Sequence, residues 1–91
     1  MFKNEEARRE QKAVRFIINA VDEFEKIIPR DKVSDIAVTT CAAKDGDYEL
    51  KGAVGVLSPT GKTKTFGYTA LVAFDGEGEC SLSDLKIEGI N

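Results

Sequence analysis

The sequence predicts an α+β fold in which one helix packs on a four-stranded antiparallel meander. Residues 4–28 repeat their apolar positions with a helical period, and residues 35–88 contain four alternating or short apolar stretches. Turn signals separate those stretches: Lys44-Asp45-Gly46-Asp47, Ser58-Pro59-Thr60-Gly61 and Asp75-Gly76-Glu77-Gly78. This order of elements predicts a single domain over residues 1–91.

The helix is predicted over about residues 4–28. One stripe at helical spacing contains the apolar residues Ala13, Ile17, Ala20, Phe24 and Ile27. Such a stripe is typical of a helix that packs one side on a sheet. Pro29 ends the helix, because proline lacks an N–H and disfavours the helical conformation of the residue before it.

The four strands are predicted at about residues 35–43, 48–57, 63–74 and 79–88. Asp45-Gly46 favours a type I′ turn between the first two strands. In the first strand, alternation places Ile36, Val38, Thr40 and Ala42 toward the helix. In the fourth strand, the apolar positions change parity between Leu82 and Leu85, which predicts a β-bulge near Ser83-Asp84.

Composition limits the class of protein. The chain has 91 residues, of which 42% are hydrophobic and 32% charged, as in ordinary globular domains. No apolar run approaches the roughly 18–20 residues of a membrane span, and the charged start is unlike a secretory signal, so we expect a cytoplasmic protein without membrane contact. The net charge is −3, and the part predicted as sheet is acidic, so we expect no nucleic acid partner.

The inventory of reactive side chains is small. There is no histidine, and the two cysteines lie in the first and fourth predicted strands, about 14 Å apart in a meander. A disulfide needs Cα atoms within about 7 Å, so we predict that Cys41 and Cys80 are free thiols. We expect no catalytic residues, no metal site and no cofactor, and therefore no enzyme.

A basic cluster lies early in the helix. It contains Arg8, Arg9, Lys12 and Arg15. One interpretation is a contact for an acidic partner. The interleaved Glu5, Glu6 and Glu10 favour a solvated helical face stabilised by charge pairs.

The helix-then-strands order, with the run from Asp47 to Val54 in the second strand, resembles the cystatin-like arrangement, in which a curled antiparallel sheet wraps one helix. This resemblance implies the fold. The Gln-x-Val-x-Gly hairpin of protease-inhibiting cystatins does not occur in the chain, and neither does tryptophan. Inhibition of thiol proteases is therefore not implied, since fold analogy alone does not supply a function.

The predicted sheet face turned away from the helix, here called the outer face, carries short and uncharged side chains near its middle. We predict that it is an interface formed by Thr39, Cys41, Ala53, Gly55, Leu57, Gly67, Thr69, Leu71 and Ala73. Water-exposed sheet faces more often carry Lys, Glu and Thr, whereas this surface could closely approach another flat surface. The other interpretation is a lightly solvated face of small residues, or a face covered by the chain's own termini, and both interpretations stay open.

Two functions from different classes follow. The first is a non-enzymatic module that binds a protein partner, or forms a homodimer, through the outer face. A sharper variant is a small phage or mobile-element inhibitor of a host system. The alternative is a small-molecule-binding domain with a pocket between helix and sheet, for which Tyr48, Thr40 and Tyr68 are the candidate inward polar groups.

Overall fold

The structure is a computed structural model that describes residues 3–28 and 32–89, with side chains described from residue 8 onward. The elements in chain order are α1 (Lys3–Ile18), α2 (Val21–Ile27), β1 (Lys32–Lys44), β2 (Asp47–Leu57), β3 (Thr63–Phe74) and β4 (Cys80–Ile87). The strands form one antiparallel sheet in the order β1-β2-β3-β4. The predicted α+β meander is therefore confirmed, while Pro29 lies outside the described residues.

The helical segment is divided into two helices, where the sequence predicted one. The break lies at Asn19 and Ala20, where the Ala20 N–H donates to the Ile17 carbonyl at 3.0 Å and the Ala20 backbone has φ −88 and ψ 39. Asparagine favours such a departure, because its side chain competes for backbone hydrogen bonds. The break shifts the helical phase, so that Ile28 is buried and Ile27 is only partly buried.

The core lies between the two helices and the inner face of the sheet. Phe24 is fully buried and contacts Tyr68 edge-on, with ring centroids 5.0 Å apart. Tyr48 packs in the same way on Phe74 at 5.6 Å. The remaining buried hydrophobic residues are Ala13, Ile17, Ala20, Ile28, Ile36, Leu50, Val54, Val56, Ala70, Val72 and Ile87.

The turn between β1 and β2 and the β-bulge in β4 agree with the predictions. Asp45 and Gly46 both have positive φ, 51° and 87°, as a type I′ turn requires. The ladder between β3 and β4 shifts register between Leu71 and Val72, which leaves Ser83 as the extra residue. The β-bulge predicted from the change of parity in β4 is thus confirmed.

Two further β-bulges, at Ser34 and Thr39 of β1, were not predicted. Each adds one residue to β1, so the side chains after Thr39 change face. Thr40 is exposed and pairs with outward-facing Lys51, whereas Cys41 packs against the core. The inward placement of Thr40 and Ala42, and the outward placement of Cys41, are therefore wrong.

The Thr39 bulge accompanies an unusual contact across β2. The Tyr68 hydroxyl donates to the Ala37 carbonyl at 2.9 Å, and that carbonyl oxygen occupies the space where a side chain at position 52 would begin. Gly52 is therefore needed for close approach of the two backbones. Tyr68, Gly52 and Ala37 together fasten the edge strand β1 to the centre of the sheet.

Burial raises the pKa of Tyr68 to about 12, which predicts a pH dependence of stability. Because an unfolded tyrosine ionises near pH 10, the stability linked to Tyr68 is complete below about pH 10 and is lost as pH rises toward 12. Tyr68→Phe should lower the free energy of unfolding by about 1–2 kcal/mol at pH 7, since it leaves the Ala37 carbonyl without this donor. Urea denaturation between pH 7 and 11.5 should show a smaller difference between wild type and variant at the alkaline end. A difference that stays constant above pH 10 would contradict the assignment.

Candidate functional site: the outer face of the sheet

The outer face is built by cross-strand rows whose members share one register position. One row joins Ala42, Glu49, Leu71 and Asp84, and the next joins Thr40, Lys51, Thr69 and Lys86. These rows are neighbours, two residues apart along every strand. A negative pair flanking leucine therefore lies beside a positive pair flanking threonine. Glu49 also forms an ion pair with Lys44, with Nζ and Oε2 3.7 Å apart.

The next row consists of residues with very small side chains. It consists of Ala37, Ala53 and Gly67, with the Glu88 side chain lying beside Gly67. A Cβ on Gly67 would meet Glu88 Oε2 at 2.9 Å. In the row after that, the side chains of Ser34 and Asp35 fill the space that a side chain on Gly55 would occupy. The two glycines of this part of the outer face are therefore covered by acidic side chains, Gly55 by Asp35 of β1 and Gly67 by Glu88, which follows β4.

The register places seven of the nine predicted interface residues on the outer face. They are Ala53, Gly55, Leu57, Gly67, Thr69, Leu71 and Ala73. Leu57 is 43% exposed, one of two large hydrophobic residues so exposed among the described residues, and Gly55 is buried beneath the acidic side chain above it. Thr39 is exposed at its bulge, where its Oγ1 donates to the Lys51 carbonyl at 3.0 Å.

Cys41 lies on the core side of the sheet, so its predicted placement on the outer face is wrong. It lines a cleft of about 380 Å³ with Glu10, Gln11, Val14 and Arg15 of α1. Burial and, to a lesser extent, the Glu10 carboxylate raise the pKa of the Cys41 thiol. Burial also raises the pKa of Cys80, on the opposite edge strand. Both cysteines are free, and their raised pKa values disfavour the reactive thiolate at neutral pH.

Sequence reasoning missed the contribution of β4 to the outer face. Asp84 and Lys86 extend the charge rows of β2 to the far edge of the sheet. The signal was present, because acid and base are separated by two positions in both strands, as Glu49 and Lys51 in β2 and as Asp84 and Lys86 in β4. Only the position of the β4 bulge decides that these four charges share one face.

The polar groups predicted to line a small-molecule pocket line none of the three clefts described in the structure. Tyr68 is 2% exposed and its hydroxyl is satisfied by Ala37, Tyr48 is 5% exposed, and Thr40 lies on the outer side of the sheet. Each of these three clefts is lined by residues of α1 and by residues of a neighbouring strand or turn. The small-molecule alternative, with a pocket between helix and sheet, therefore stays a prediction.

Among the side chains that the structure describes, those of residues 8–28 and 32–89, no group of three or more acidic or cysteine side chains is placed to hold a metal ion. Neither described helix is long and apolar enough to cross a membrane. Comparison of the chain with family models, with curated proteins and with solved structures finds no match.

Proposed function

We propose that the protein is a self-associating module whose outer face binds the outer face of a second copy. The outer face carries two adjacent rows of opposite charge, one with Glu49 and Asp84 and the other with Lys51 and Lys86, and these rows support the proposal. Such a pattern is self-complementary, which is what a two-fold symmetric interface requires of a surface that meets itself.

The two-fold axis that suits the charges lies between the two sheets, perpendicular to the strands and midway between the charged rows. This axis places each strand over its own copy, running in the opposite direction. Glu49 then faces Lys51 of the second copy, and Asp84 faces Lys86 of the second copy. Leu71 lies over Thr69, whose side chain is short, and Ala73 lies over Gly67, beside the Glu88 side chain. The natural twist of the sheets would rotate this alignment by about 30°.

The available area is sufficient for a stable pair. Four strands of 8 to 13 residues, spaced about 4.8 Å apart and rising about 3.3 Å per residue, give a face of about 700 Å². Two such faces would bury about 1,400 Å², which lies within the range of about 1,200–2,000 Å² for specific interfaces.

The free edges of the sheet are less suited to association. β1 carries bulges at Ser34 and Thr39, and β4 carries one at Ser83. Bulges interrupt the row of unpaired N–H and C=O groups on which an added strand would have to pair. This favours association through the face. The topological resemblance to cystatin-like domains and the role of a phage or mobile-element inhibitor remain predictions that the charge rows neither require nor oppose.

The proposal predicts that Leu71→Lys abolishes self-association and leaves the fold intact. Within one chain the new ammonium group would lie between Glu49 and Asp84, which suits the monomer. In the pair it would lie over the row of Lys51 and Lys86 from the second copy, and like charges across an interface cost several kcal/mol. The solution mass should be measured by light scattering on a sizing column over a range of concentrations.

Ile18→Lys is the matched control, because Ile18 is also 43% exposed but lies on α1, away from the outer face. We expect wild type and this control to be dimers and Leu71→Lys to be a monomer. A monomeric wild type at all concentrations would refute the homodimer. A Leu71→Lys variant that stays dimeric with unchanged circular dichroism would place the interface elsewhere.

A further inference from the structure

We propose that the cleft between α1 and the β3–β4 hairpin binds the phosphate group of a small organic molecule. The cleft has a volume of about 280 Å³ and is lined by Arg8, Arg9, Lys12, Phe74 and Gly78. Three of these five residues are cationic, and none is acidic. This site lies on the helix side of the sheet, so it is independent of the outer face and of the homodimer.

The fold brings the cations together from one side and the aromatic ring from the other. Arg8 and Lys12 are four residues apart on α1 and therefore lie on the same side of the helix, with Arg9 beside them. The hairpin is held against this helix because Lys12 Nζ donates to the Gly78 carbonyl at 2.6 Å. Phe74 is half-buried at the end of β3, with Tyr48 packed against its ring.

The two arginines are available for a ligand. Both are exposed, and among the described residues neither forms an ion pair. Paired guanidinium groups bind phosphate oxygens through several charge-assisted hydrogen bonds, which a single lysine does not reproduce. Lys12 would add a point charge at the hairpin side, where it already serves to dock the turn.

The carboxylate of Asp75, which adjoins the lining residue Phe74, is already engaged. Asp75 follows Phe74, and its Oδ1 accepts the N–H groups of Glu77 and Glu79 at 2.8 and 2.9 Å. These backbone hydrogen bonds, that of Glu79 first, lower the pKa of Asp75, and Lys12 contributes to the same effect. The Asp75 carboxylate is thus directed into its own turn, and the cleft keeps an excess of positive charge.

The size and lining of the cleft define the ligand class. A volume of about 280 Å³ is near the lower limit for ligand pockets, about 300 Å³, and therefore suits a fragment-sized molecule. The phosphate would contact the arginines, and an attached ring would pack on Phe74. Phenyl phosphate is the simplest probe with both parts.

The test is a titration of the full chain with phenyl phosphate, followed by two-dimensional NMR at low ionic strength. We expect shifts confined to the backbone amides of residues 8–12 and 74–78. The double variant Arg8→Gln/Arg9→Gln should bind at least about tenfold more weakly, because it loses the charge-assisted hydrogen bonds. Arg15→Gln is the matched control, since Arg15 is exposed on the same helix but lines the other two clefts.

Absence of shifts at millimolar phenyl phosphate would overturn the proposal, as would equal weakening by Arg15→Gln. Inorganic phosphate that binds as tightly as phenyl phosphate would overturn the part of the proposal that assigns a ring to Phe74. The solution mass of the double variant should equal that of wild type, so that failure of this site and failure of the homodimer are read separately.

Discussion

We expect Gly52→Ala to lower the free energy of unfolding by about 2–4 kcal/mol. A Cβ on Gly52 would overlap the carbonyl oxygen of Ala37, which is backbone and cannot rotate away. The edge strand β1 would have to move outward, and such overpacking costs about 1–3 kcal/mol. Loss of the Tyr68 hydrogen bond to that same carbonyl would add about 1 kcal/mol.

Gly76→Ala is the matched control for this substitution. A Cβ on Gly76 would have no neighbour within 4 Å, and its backbone is not among those with positive φ. Alanine there should be neutral or stabilise slightly, by reducing the entropy of the unfolded chain. Urea denaturation of the two variants should therefore give opposite or clearly unequal shifts in midpoint. Equal midpoints would show that β1 adapts at no cost, contrary to the role given to Gly52.

Local sequence patterns were enough to predict much of the fold. Asp45-Gly46 specified its turn through the positive φ that both residues adopt, and the change of parity between Leu82 and Leu85 specified the bulge in β4. Asp45 and Gly46 strongly prefer the turn geometry, and Leu82 and Leu85 strongly prefer the buried face of the sheet. A shift of one residue would have been costly there, so the pattern is informative.

The bulge at Thr39 could not be predicted because residues 39–43 read Thr-Thr-Cys-Ala-Ala. Such small side chains fit either face, so a register slip changes little in burial and leaves no signal in the alternation. The break after Ile18 was hidden for a related reason. Ala20 and Val21 continue the helical period, and only the weak preference of Asn19 marks the change.

The cleft illustrates a different limit. The arginines and Lys12 were recognisable as a basic cluster, but Gly78 is 66 positions from Lys12 in the chain. Only tertiary packing brings the hairpin and Phe74 to this part of α1. Likewise, the charges of β2 were visible as outward-facing residues, while their continuation on β4 depended on the exact register across the bulge.

The second large effect is expected at the charged rows of the outer face. Lys51→Glu would oppose glutamates at both symmetry-related contacts, because position 51 of each copy faces Glu49 of the other. Like-charge contacts of this kind cost several kcal/mol, so the dissociation constant should rise at least about 100-fold. Exchanging the two residues, as Glu49→Lys/Lys51→Glu, should restore association because each new lysine again faces a glutamate.

Lys64→Glu controls for the change in net charge. Lys64 is exposed on β3, but it pairs with Val56 and so belongs to the opposite side of the sheet. It should leave association unchanged. The exchange variant also removes the weak contact between Lys44 and Glu49, an exposed ion pair worth at most about 1 kcal/mol.

The most direct measurement is the concentration dependence of solution mass, by sedimentation equilibrium, for wild type, Lys51→Glu and the exchange variant. The two-fold arrangement predicts a dimer, a monomer and a dimer, in that order. A wild-type dimer that survives Lys51→Glu, or an exchange variant that stays monomeric although folded, would contradict the facing of Glu49 with Lys51 on which the proposed interface rests.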